Sequence, residues 1–456
     1  MMQPLPSVLL ICQSTGKSAD SISALPPLGI LSIAAYLEDK GIHTDVVDYC
    51  VPRPKPIDTD DYDVVGFSAN ISNIDTTLKH IWSIRKSCPT KTIVVGGPLC
   101  TSNPEVFIEH GVVNAIFVGE GEEALFEYLT SSRQAEVKGL YLKKNDRYVF
   151  TGERSWIKDL DALPVPAMHK VDVGKYRSVP SKRRPITSLM TSRGCPFRCI
   201  YCSHSMGSDW RPRSAENVVR EIQWQVQELG VKEICIYDDN FSLDKARASE
   251  ICDLLIESNT RVCLQFTNGL RVDCLDEKLL QKMKDAGTWL IGIAPETGNV
   301  EVMKRIRKGF RHQRVLEIRE ACRRLQITTF GFFMIGFPFD SRQTIEETIS
   351  FAEALDCEIV EFNKVIPYPK TELYDIAARE NCLLPSQGRH LSSSYHDGEI
   401  TTHRVGDLDP SEIKLIIKKA YRRYYLRPRK IADLLASFSI SDLMTLSRYA
   451  LTTGNI

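Results

Sequence analysis

Three closely spaced cysteines constrain this sequence more than any other feature. Cys195, Cys199 and Cys202 have the spacing C-x3-C-x2-C and directly follow a strand-like run, residues 185–192, which ends just before Gly194. Three thiolates on one short loop can hold a metal centre without ligands from distant parts of the chain. Because a closed zinc or iron–sulfur site normally has four ligands, three thiolates leave one position open to a small molecule.

A structural zinc site is the alternative interpretation of this loop. It would need a fourth ligand from elsewhere in the chain, for example His204. The loop is accompanied neither by a second C-x2-C pair nor by a ribbon-like turn, although such features are typical of structural zinc sites. The pattern therefore favours an iron–sulfur cluster.

Composition argues against several classes of protein. The 456 residues include 58 Lys and Arg and 58 Asp and Glu, so no charge excess indicates nucleic acid or an anionic surface as a partner. Most of the other eleven cysteines lie singly in apolar segments, where a reduced cysteine behaves as a small hydrophobe. The first residues lack the charged and apolar regions of a signal peptide, and no apolar run is long enough to span a bilayer. We therefore expect a cytoplasmic protein with reduced thiols and no membrane partner.

The N-terminal sequence alternates short apolar runs with helical patterns. Strands are predicted at residues 8–12, 44–48, 64–68, 92–96 and 115–118, and helices at 28–40, 73–86, 103–109 and 120–129. Such alternation, with nearly continuous apolar strands, is typical of a parallel sheet covered on both faces. With a predicted hairpin at 138–151, this gives a doubly wound, Rossmann-like α/β domain over residues 1–154, and its ligand should lie at the carboxyl ends of the strands.

The turns after these predicted strands are rich in small residues. They contain Gly29, Ser68, Gly96, Gly97, Gly119 and Gly121. Small residues let the backbone approach a large ligand closely. An ordinary α/β domain also uses glycine in its tight turns, so the spacing alone leaves both interpretations open.

A second domain is predicted after a proline-containing linker, residues 155–184. Residues 185–380 contain six strand–helix units, with strands predicted at 186–192, 233–238, 261–267, 288–294, 328–335 and 358–365. Six units fall short of the eight that close a full barrel, so we predict an incomplete (β/α)6 barrel with chemistry at the carboxyl ends of its strands. Residues 381–456 are predicted to form a polar stretch and then a helical tail.

Carboxylates follow two of the predicted barrel strands. Asp238 and Asp239 end the second strand, and Glu296 ends the fourth. A carboxylate at this edge of a barrel is more often functional than structural, although Asp239 could also cap the next helix. Asn268 and Arg271 follow the third strand. Either could face the cavity, but Arg271 is equally well placed for a surface ion pair, and the sequence does not decide between these roles.

The cysteine loop, with aromatic Tyr201 directly before its third cysteine, resembles the signature of radical S-adenosylmethionine (SAM) enzymes. The resemblance implies that the three thiolates hold a four-iron four-sulfur (4Fe–4S) cluster and that the open iron binds SAM. It further implies an electron donor such as flavodoxin or ferredoxin, whose electron cleaves SAM to a 5′-deoxyadenosyl radical. The resemblance implies that Tyr201 is a cofactor-binding residue of this loop. In that family the positions of Asp238, Asp239 and Glu296 contact SAM.

The glycine-rich turns of the first domain resemble those of the cobalamin-binding domain that precedes many radical SAM barrels. The resemblance implies that Gly29, Ser68 and the other small residues of these turns contact cobalamin. The Asp-x-His-x-x-Gly motif, whose histidine coordinates cobalt in other cobalamin proteins, is absent. The resemblance therefore implies cobalamin held without a histidine from that motif, and the lower cobalt ligand stays open.

These implied cofactors predict an enzyme. Methylation is the commonest reaction in the resembled family, so we expect a cobalamin-dependent radical SAM methyltransferase acting on an unactivated carbon of a small-molecule or peptide substrate. A carbon radical has no lone pair to attack SAM, whereas methylcobalamin can deliver a methyl group to it. An anaerobic oxidative cyclase of the tetrapyrrole type, or a rearrangement enzyme, is the alternative with the same cofactors.

An RNA methylthiotransferase is a further alternative. That family has three additional cysteines in its N-terminal domain, which Cys12, Cys50, Cys88 and Cys100 could imitate. Its C-terminal RNA-binding β-barrel does not match the helical pattern of this tail. The basic and aromatic stretch 414–430 is more typical of a solvated helix with a packed tyrosine face than of a nucleic-acid site, and the neutral charge balance also argues against RNA.

Overall fold

The computed structural model describes residues 5–15, 23–54, 57–384 and 403–437, together with Met444. The chain divides into an N-terminal unit, residues 1–176 with 204–207, and a barrel unit, residues 177–203 with 208–456. The predicted domain boundaries at 154, 184 and 380 stay predictions. Most of the predicted polar stretch after residue 380 lies outside the described residues.

The N-terminal unit is built on a sheet that has seven strands in the described ranges. Five are parallel, in the spatial order β2-β1-β3-β4-β5, and an antiparallel hairpin, β6 and β7, extends the sheet beyond β5. In chain order the strands are β1 (Val8–Cys12), β2 (Thr44–Asp48), β3 (Val64–Ser68), β4 (Thr92–Gly96), β5 (Ala115–Phe117), β6 (Leu140–Lys144) and β7 (Arg147–Phe150). This order confirms the doubly wound fold and places the reversal of strand order between β1 and β3, where such folds bind ligands.

Helices connect the parallel strands as the sequence predicts, with one difference. They are α1 (Leu28–Asp39), α2 (Ile74–Ser87), α3 (Pro98–Ser102), α4 (Glu105–His110) and α5 (Glu122–Thr130). The helix predicted at 103–109 corresponds to α4, and a second short helix, α3, precedes it. Pro104 separates them, because a proline lacks the amide that would continue α3.

The barrel unit contains a parallel sheet with the strand order β8-β11-β12-β13-β14-β15 in the described ranges. The order confirms the predicted (β/α)6 barrel, because its six strands follow one another and leave β8 and β15 as open edges. The strands are β8 (Ile186–Leu189), β11 (Glu233–Ile236), β12 (Cys263–Leu270), β13 (Thr288–Glu296), β14 (Thr328–Ile335) and β15 (Ile359–Lys364), and a separate antiparallel pair is β9 (Ser192–Arg193) with β10 (Arg211–Pro212).

Helices of the barrel unit follow the strands and then form the tail. They are α6 (Ala215–Glu228), α7 (Lys245–Glu257), α8 (Glu277–Asp285), α9 (Val300–Arg305), α10 (His312–Arg324), α11 (Arg342–Leu355), α12 (Glu372–Arg379), α13 (Pro410–Tyr425) and α14 (Pro428–Ser437). Local chemistry explains their starts: Ser214, for example, caps α6 by accepting from the amide of Asn217.

The tail helix α13 covers the edge strand β15. The hydroxyl of Tyr425 accepts from the amide of Val360 and donates to its carbonyl oxygen, both at 2.7 Å, and the hydroxyl of Tyr421 accepts from the amide of Phe362 at 3.1 Å. Unpaired backbone groups of an edge strand are thereby satisfied. The tyrosines of the basic stretch are therefore packing residues, as expected for a helix with a packed tyrosine face.

Within the described ranges, no helix combines the length and the apolar character needed to cross a bilayer. The cytoplasmic location stays a prediction.

Candidate active site

The three-cysteine loop follows the first strand of the barrel. β8 ends at Leu189, and the chain then reaches Cys195 near the carboxyl edge of the sheet. Cys195 and Cys199 are half-buried and Cys202 is exposed. A turn closes the loop, since the amide of Cys202 donates to the carbonyl oxygen of Cys199 at 3.1 Å. All three thiols therefore stay at least partly accessible on one short segment.

The spacing of the three sulfur atoms bears on what they can hold. The Sγ atoms of Cys195, Cys199 and Cys202 do not all lie within 4.8 Å of one another, although all three cysteines belong to the described ranges. A single tetrahedral zinc ion, with Zn–S bonds of about 2.3 Å, needs its sulfurs roughly 4 Å apart. The donor set therefore fits a cluster of several irons better than one zinc ion. His204 forms no tighter three-ligand group in this part of the chain either.

Asp238 is tied to the strand that leads into the loop. Its side chain is 2% exposed. Its carboxylate accepts from the amide and hydroxyl of Thr191, at 2.6 and 2.5 Å, and from the hydroxyl of Ser192 at 2.6 Å. Burial raises the pKa of the Asp238 carboxyl, and the hydrogen bonds from Ser192 and Thr191 partly offset that rise. Asp238 thus positions the entry to the cysteine loop, and its predicted contact with SAM stays a prediction.

The neighbouring Asp239 differs in its surroundings. It is exposed, and its negative charge lies close enough to Cys195 to act on that thiol. Burial raises the pKa of the Cys195 thiol, and the charge of Asp239 adds to the rise. The structure therefore places the Asp239 carboxylate, rather than that of Asp238, where a positively charged ligand beside the cysteine loop could meet it.

Glu296 forms a buried ion pair behind the loop. Its Oε1 accepts from the ammonium of Lys308 at 2.8 Å and from the hydroxyl of Tyr201 at 2.9 Å, and Lys308 also donates to that hydroxyl at 3.1 Å. Glu296 and Lys308 are each 7% exposed. Burial, followed by the charge of Glu296, raises the pKa of Tyr201 well above its usual value, so its hydroxyl remains a donor. Two predicted site residues, Tyr201 and Glu296, are thus brought together.

Glu296 also has unusual backbone geometry. It ends β13 with φ at 68°, the left-handed region that a residue other than glycine seldom adopts. Such conformations cost about 1–3 kcal/mol and persist only where the surrounding structure holds them. The ion pair with Lys308 and the bond from Tyr201 supply that restraint.

Arg271 joins the cysteine loop to the segment that carries Lys308. Its guanidinium lies 3.5 Å from the centroid of the Phe197 ring, which belongs to the loop. It also donates to the carbonyl oxygen of Lys308 at 2.7 Å and to Asp273 at 2.8 Å. Arg271 thus forms an ion pair, which is one of the two roles that the sequence left open, but it is buried and also braces the loop. Asn268 instead donates to the carbonyl oxygen of Asp238 at 2.9 Å.

The small residues of the N-terminal unit gather at one edge of its sheet. Ser68 and Gly96 end β3 and β4, and the others begin the segments that follow a strand: Gly29, Gly97, Gly119 and Gly121. The carboxyl edge of this sheet is therefore lined by backbone and very small side chains, which fits a large, flat ligand such as the implied cobalamin. Contacts of these residues with cobalamin stay predictions.

Two of these positions, Gly97 and Gly29, differ in whether the surrounding structure requires a glycine. Gly97 has φ at +103°, and a Cβ there would come within 2.8 Å of the carbonyl oxygen of Ala69. Gly97 is therefore required by the chain itself. A Cβ on Gly29, at the start of α1, would meet no atom within 4 Å, so the protein's own packing does not require glycine at that position.

Sequence reasoning missed Lys308 and the bracing role of Arg271. Lys308 lies in the run Arg305-Ile-Arg-Lys-Gly309, which looks like an ordinary basic surface segment. Only a buried carboxylate facing it distinguishes Lys308 from its neighbours, and Glu296 lies on a separate element. No local signal in the sequence could have identified the pair.

Family models match both units. A model described as the radical SAM superfamily matches residues 189–352, and one described as the B12 binding domain matches residues 19–129. The first range includes the cysteine loop, Asp238, Asp239, Glu296 and Lys308, and the second includes all the small residues at the edge of the N-terminal sheet.

Relatives are similar over most of the chain. An uncharacterized methyltransferase of Pyrococcus horikoshii is 30% identical over 421 residues, covering 89% of this chain and 88% of that protein. The cytidylyl-2-hydroxyethylphosphonate methyltransferase of Streptomyces wedmorensis is 27% identical, covering 88% and 86%. An anaerobic magnesium-protoporphyrin IX monomethyl ester cyclase of Synechocystis is 24% identical, covering 79% and 74%.

A solved structure shares the fold. The radical S-adenosylmethionine methyltransferase TsrM of Kitasatospora setae, determined with cobalamin and a 4Fe–4S cluster bound, superposes with a TM-score of 0.67. The match covers 95% of this chain and 89% of that one at 16% identity. The likeness extends over both sheets of the chain.

Proposed function

Because the chain belongs to the radical SAM enzymes that carry a B12-binding domain, we propose that it methylates an unactivated carbon of a small-molecule or peptide substrate. Family membership follows from the extent of similarity to the Pyrococcus protein and from the two family models. It makes the chain an enzyme that uses a 4Fe–4S cluster, SAM and cobalamin. The names of the two methyltransferase relatives support methylation for this chain.

One observation carries the proposal: a single chain holds both an open three-thiol loop and a second sheet edge lined by very small residues. When bound, the cluster and SAM supply a radical that abstracts hydrogen, and cobalamin supplies a methyl group for a carbon without a lone pair. The protein's own task is then to bind, orient and exclude water. An external electron donor such as flavodoxin or ferredoxin belongs to this proposal.

The described side chains divide that task. The three thiols bind the cluster, and Asp238 holds the strand entering their loop through Thr191 and Ser192. Asp239 offers a carboxylate beside Cys195 for the ammonium of SAM. Lys308 and Tyr201 hold the Glu296 carboxylate in place. A contact of Glu296 with SAM, which belongs to this proposal, would therefore use a preorganised group.

An aromatic surface inside the barrel suits the substrate or the adenine of SAM. Phe330 and Phe332 are half-buried on β14 and stack with ring centroids 4.4 Å apart. The Phe332 ring lies within 2.9 Å of where a Cβ of Gly292 would stand. Glycine on the neighbouring strand therefore makes room for this pair, and flat aromatic faces favour stacking with a planar ligand. By contrast, Phe333, Met334 and Phe337 are buried in the hydrophobic core.

The cyclase remains a second candidate because of the similarity to the Synechocystis enzyme. A methyltransferase of the proposed type consumes two SAM per turnover, one yielding 5′-deoxyadenosine and one yielding S-adenosylhomocysteine. A cyclase yields 5′-deoxyadenosine without matching S-adenosylhomocysteine.

The distinguishing experiment counts both products. Anaerobic, cluster-loaded and cobalamin-loaded protein would be given methyl-labelled SAM, a reductant and a small-molecule extract of the source cells. We expect the two products in about equal amounts and label in a new compound. Asp239→Asn should lower both products together, whereas a Cys235→Ala control should leave both unchanged. Cobalamin-dependent 5′-deoxyadenosine without S-adenosylhomocysteine would favour the cyclase instead.

The methylthiotransferase alternative gains no support from the cysteines of the N-terminal unit. Cys88 follows the end of α2, at the amino edge of the sheet, whereas Cys12 and Cys50 lie at the carboxyl edge. Cys100 is fully buried in α3. The helical tail also differs from the β-barrel of that family.

A further inference from the structure

We propose that the N-terminal unit binds a Zn²⁺ ion through Cys12, Asp48 and Cys50. The two sulfur atoms and one carboxylate oxygen all lie within 4.8 Å of one another. Across the described ranges, no other three His, Cys, Asp or Glu side chains meet this distance. This site shares no residue with the cysteine loop of the barrel and does not depend on the proposed methyl transfer.

Strand register brings the three ligands together. β1 and β2 are parallel neighbours, and Cys12, the last residue of β1, is paired with Asp48, the last residue of β2. Cys50 follows two positions later, and its thiol donates to the carbonyl oxygen of Gln13 at 3.5 Å. The ligands thus come from two segments that are far apart in sequence and are held by the rigid edge of a sheet.

Hydrogen bonds already orient the carboxylate. The amide of Cys50 donates to Oδ1 of Asp48 at 2.9 Å, and the hydroxyl of Tyr176 donates to Oδ2 at 2.9 Å. Tyr176 is 2% exposed and Asp48 5%. Metal-binding carboxylates are commonly held in this way by outer partners, whose loss weakens metal affinity. The hydrogen bond from the buried Tyr176 to Asp48 therefore supports a preorganised metal site.

The donor set selects the metal. Two thiolates exclude Mg²⁺ and Ca²⁺, which prefer oxygen ligands, and the carboxylate makes the set less suited to Cu⁺ than to Zn²⁺. Zn–S bonds of about 2.3 Å and a Zn–O bond of about 2.0 Å require ligand atoms roughly 3.5–4 Å apart. The observed ligand atoms, which all lie within 4.8 Å of one another, are close to that spacing. Binding releases the two thiol protons and leaves a fourth position for water.

The test uses full-length protein, purified without oxygen and loaded with iron and sulfide so that the barrel loop is filled. After removal of loose metal on a chelating resin, we expect about one zinc per chain in addition to iron. X-ray absorption at the zinc edge should show two sulfur neighbours at about 2.3 Å and oxygen neighbours at about 2.0 Å. Because this measurement is specific for zinc, the iron of the cluster and the cobalt of cobalamin do not contribute to its signal.

Variants locate the ion. Cys12→Ser and Cys50→Ser should abolish zinc binding, and Tyr176→Phe should keep the site but weaken zinc affinity about 10- to 100-fold. Cys88→Ser, a half-buried cysteine of the same unit, should retain full zinc. Because Tyr176→Phe removes only one hydroxyl, misfolding is a poor explanation for any loss of zinc affinity in this variant.

Four results would overturn the site. Two concern zinc content: wild-type protein that binds no zinc when micromolar zinc is offered, or a Cys12→Ser/Cys50→Ser double variant that binds as much zinc as wild type. The other two are a Cys12–Cys50 disulfide in anaerobic protein, detected by peptide mass spectrometry, and iron instead of zinc at these residues. Loss of methyl transfer would affect none of these readouts, so the two proposals fail separately.

Discussion

The carboxyl edges of the two sheets hold sulfur in opposite ways. In the barrel unit, three thiols occupy one loop of eight residues and their sulfurs are too widely spaced for a single ion. In the N-terminal unit, one thiol at the end of β1 and one just after β2 converge with a carboxylate within 4.8 Å. The first arrangement is set by local sequence, and the second by the register of β1 and β2.

The surroundings of the two edges differ as well. The barrel edge is charged and braced, since Glu296 pairs with Lys308 and Arg271 packs on the loop. At the edge of the N-terminal sheet, glycine and serine line the turns after β3, β4 and β5, whereas Cys12 and Asp48 end β1 and β2. The barrel edge thus carries buried charged groups, whereas the turns after β3, β4 and β5 carry almost no side chains.

The largest expected effect tests whether the two thiol sites are independent. Replacing Cys195, Cys199 and Cys202 by alanine should reduce iron from about four per chain to none, because no other described cysteine group has this pattern. The Cys12→Ser/Cys50→Ser variant should keep all its iron. Cys235→Ala and Cys322→Ala, both buried in the barrel core, serve as controls. Loss of iron in the Cys12→Ser/Cys50→Ser variant would show that the two thiol sites are not independent.

A second test compares a buried with an exposed ion pair. Lys308→Met leaves the Glu296 carboxylate buried and unpaired, which costs about 3–5 kcal/mol of stability. Arg133 and Glu136 in the N-terminal unit are 3.1 Å apart and their side chains are 77% and 67% exposed, so Arg133→Met should cost about 0–1 kcal/mol. Calorimetry of the two variants would show this difference. Adding Glu296→Gln to Lys308→Met should recover much of the loss, and equal losses at the two pairs would contradict the expectation.

Acid sensitivity should also differ between the units. His403 of the barrel unit is 1% exposed and donates from Nε2 to the carbonyl oxygen of Gly336 at 2.6 Å. Burial lowers the pKa of His403 to about 4, and the nearby charge of Lys364 acts in the same direction. Since the unfolded histidine takes up its proton near pH 6.5, stability is lost as pH falls from about 6.5 towards 4. At pH 5 the loss is about 2 kcal/mol.

His403→Gln should remove this loss. The difference in unfolding free energy between pH 7 and pH 5 should shrink by about 2 kcal/mol in the variant, measured by urea denaturation. Burial also lowers the pKa of His80 in the N-terminal unit. His80→Gln therefore allows the same measurement of pH dependence in that unit. An unchanged pH dependence in His403→Gln would mean that the carboxylates alone set the acid limit.

The smallest effect concerns the open space at Gly29. Gly29→Ala should stabilise α1 by up to about 1 kcal/mol without ligand, because glycine is a poor helix former and no atom obstructs the new Cβ. If cobalamin occupies that space, its affinity should fall several-fold at the same time. Titration of cobalamin into wild type and variant measures this. Unchanged affinity would remove Gly29 from the cobalamin contacts.

Much of the fold was predictable because its signals are local. The strand 8–12 ends where apolar residues give way to Gln13, and Gly96–Gly97 marks the end of β4. The cysteine loop was predictable for the same reason, since its three ligands lie within eight residues. The resemblance added the cofactors, which the two family models confirm.

The remaining features depend on contacts between distant segments. The contact of Asp238 with SAM stays a prediction, but its hydrogen bonds from Thr191 and Ser192 depend on the packing of β11 beside β8. The sequence alone did not indicate these bonds. The pairing of Lys308 with Glu296 and of Cys12 with Cys50 likewise requires three-dimensional proximity. A single sequence carries no periodicity that relates such positions.

The register that joins Cys12 to Asp48 has a consequence for how the chain folds. Because side chains alternate along a strand, a slip of one residue between β1 and β2 would turn Cys12 to the opposite face of the sheet. The two thiols are therefore held side by side only once β2 has docked on β1 in this alignment. A short bifunctional thiol reagent, added at intervals during refolding, would bridge Cys12 and Cys50 from that moment on. The cross-linking yield, followed against refolding time, would thus report when β1 and β2 reach their native register.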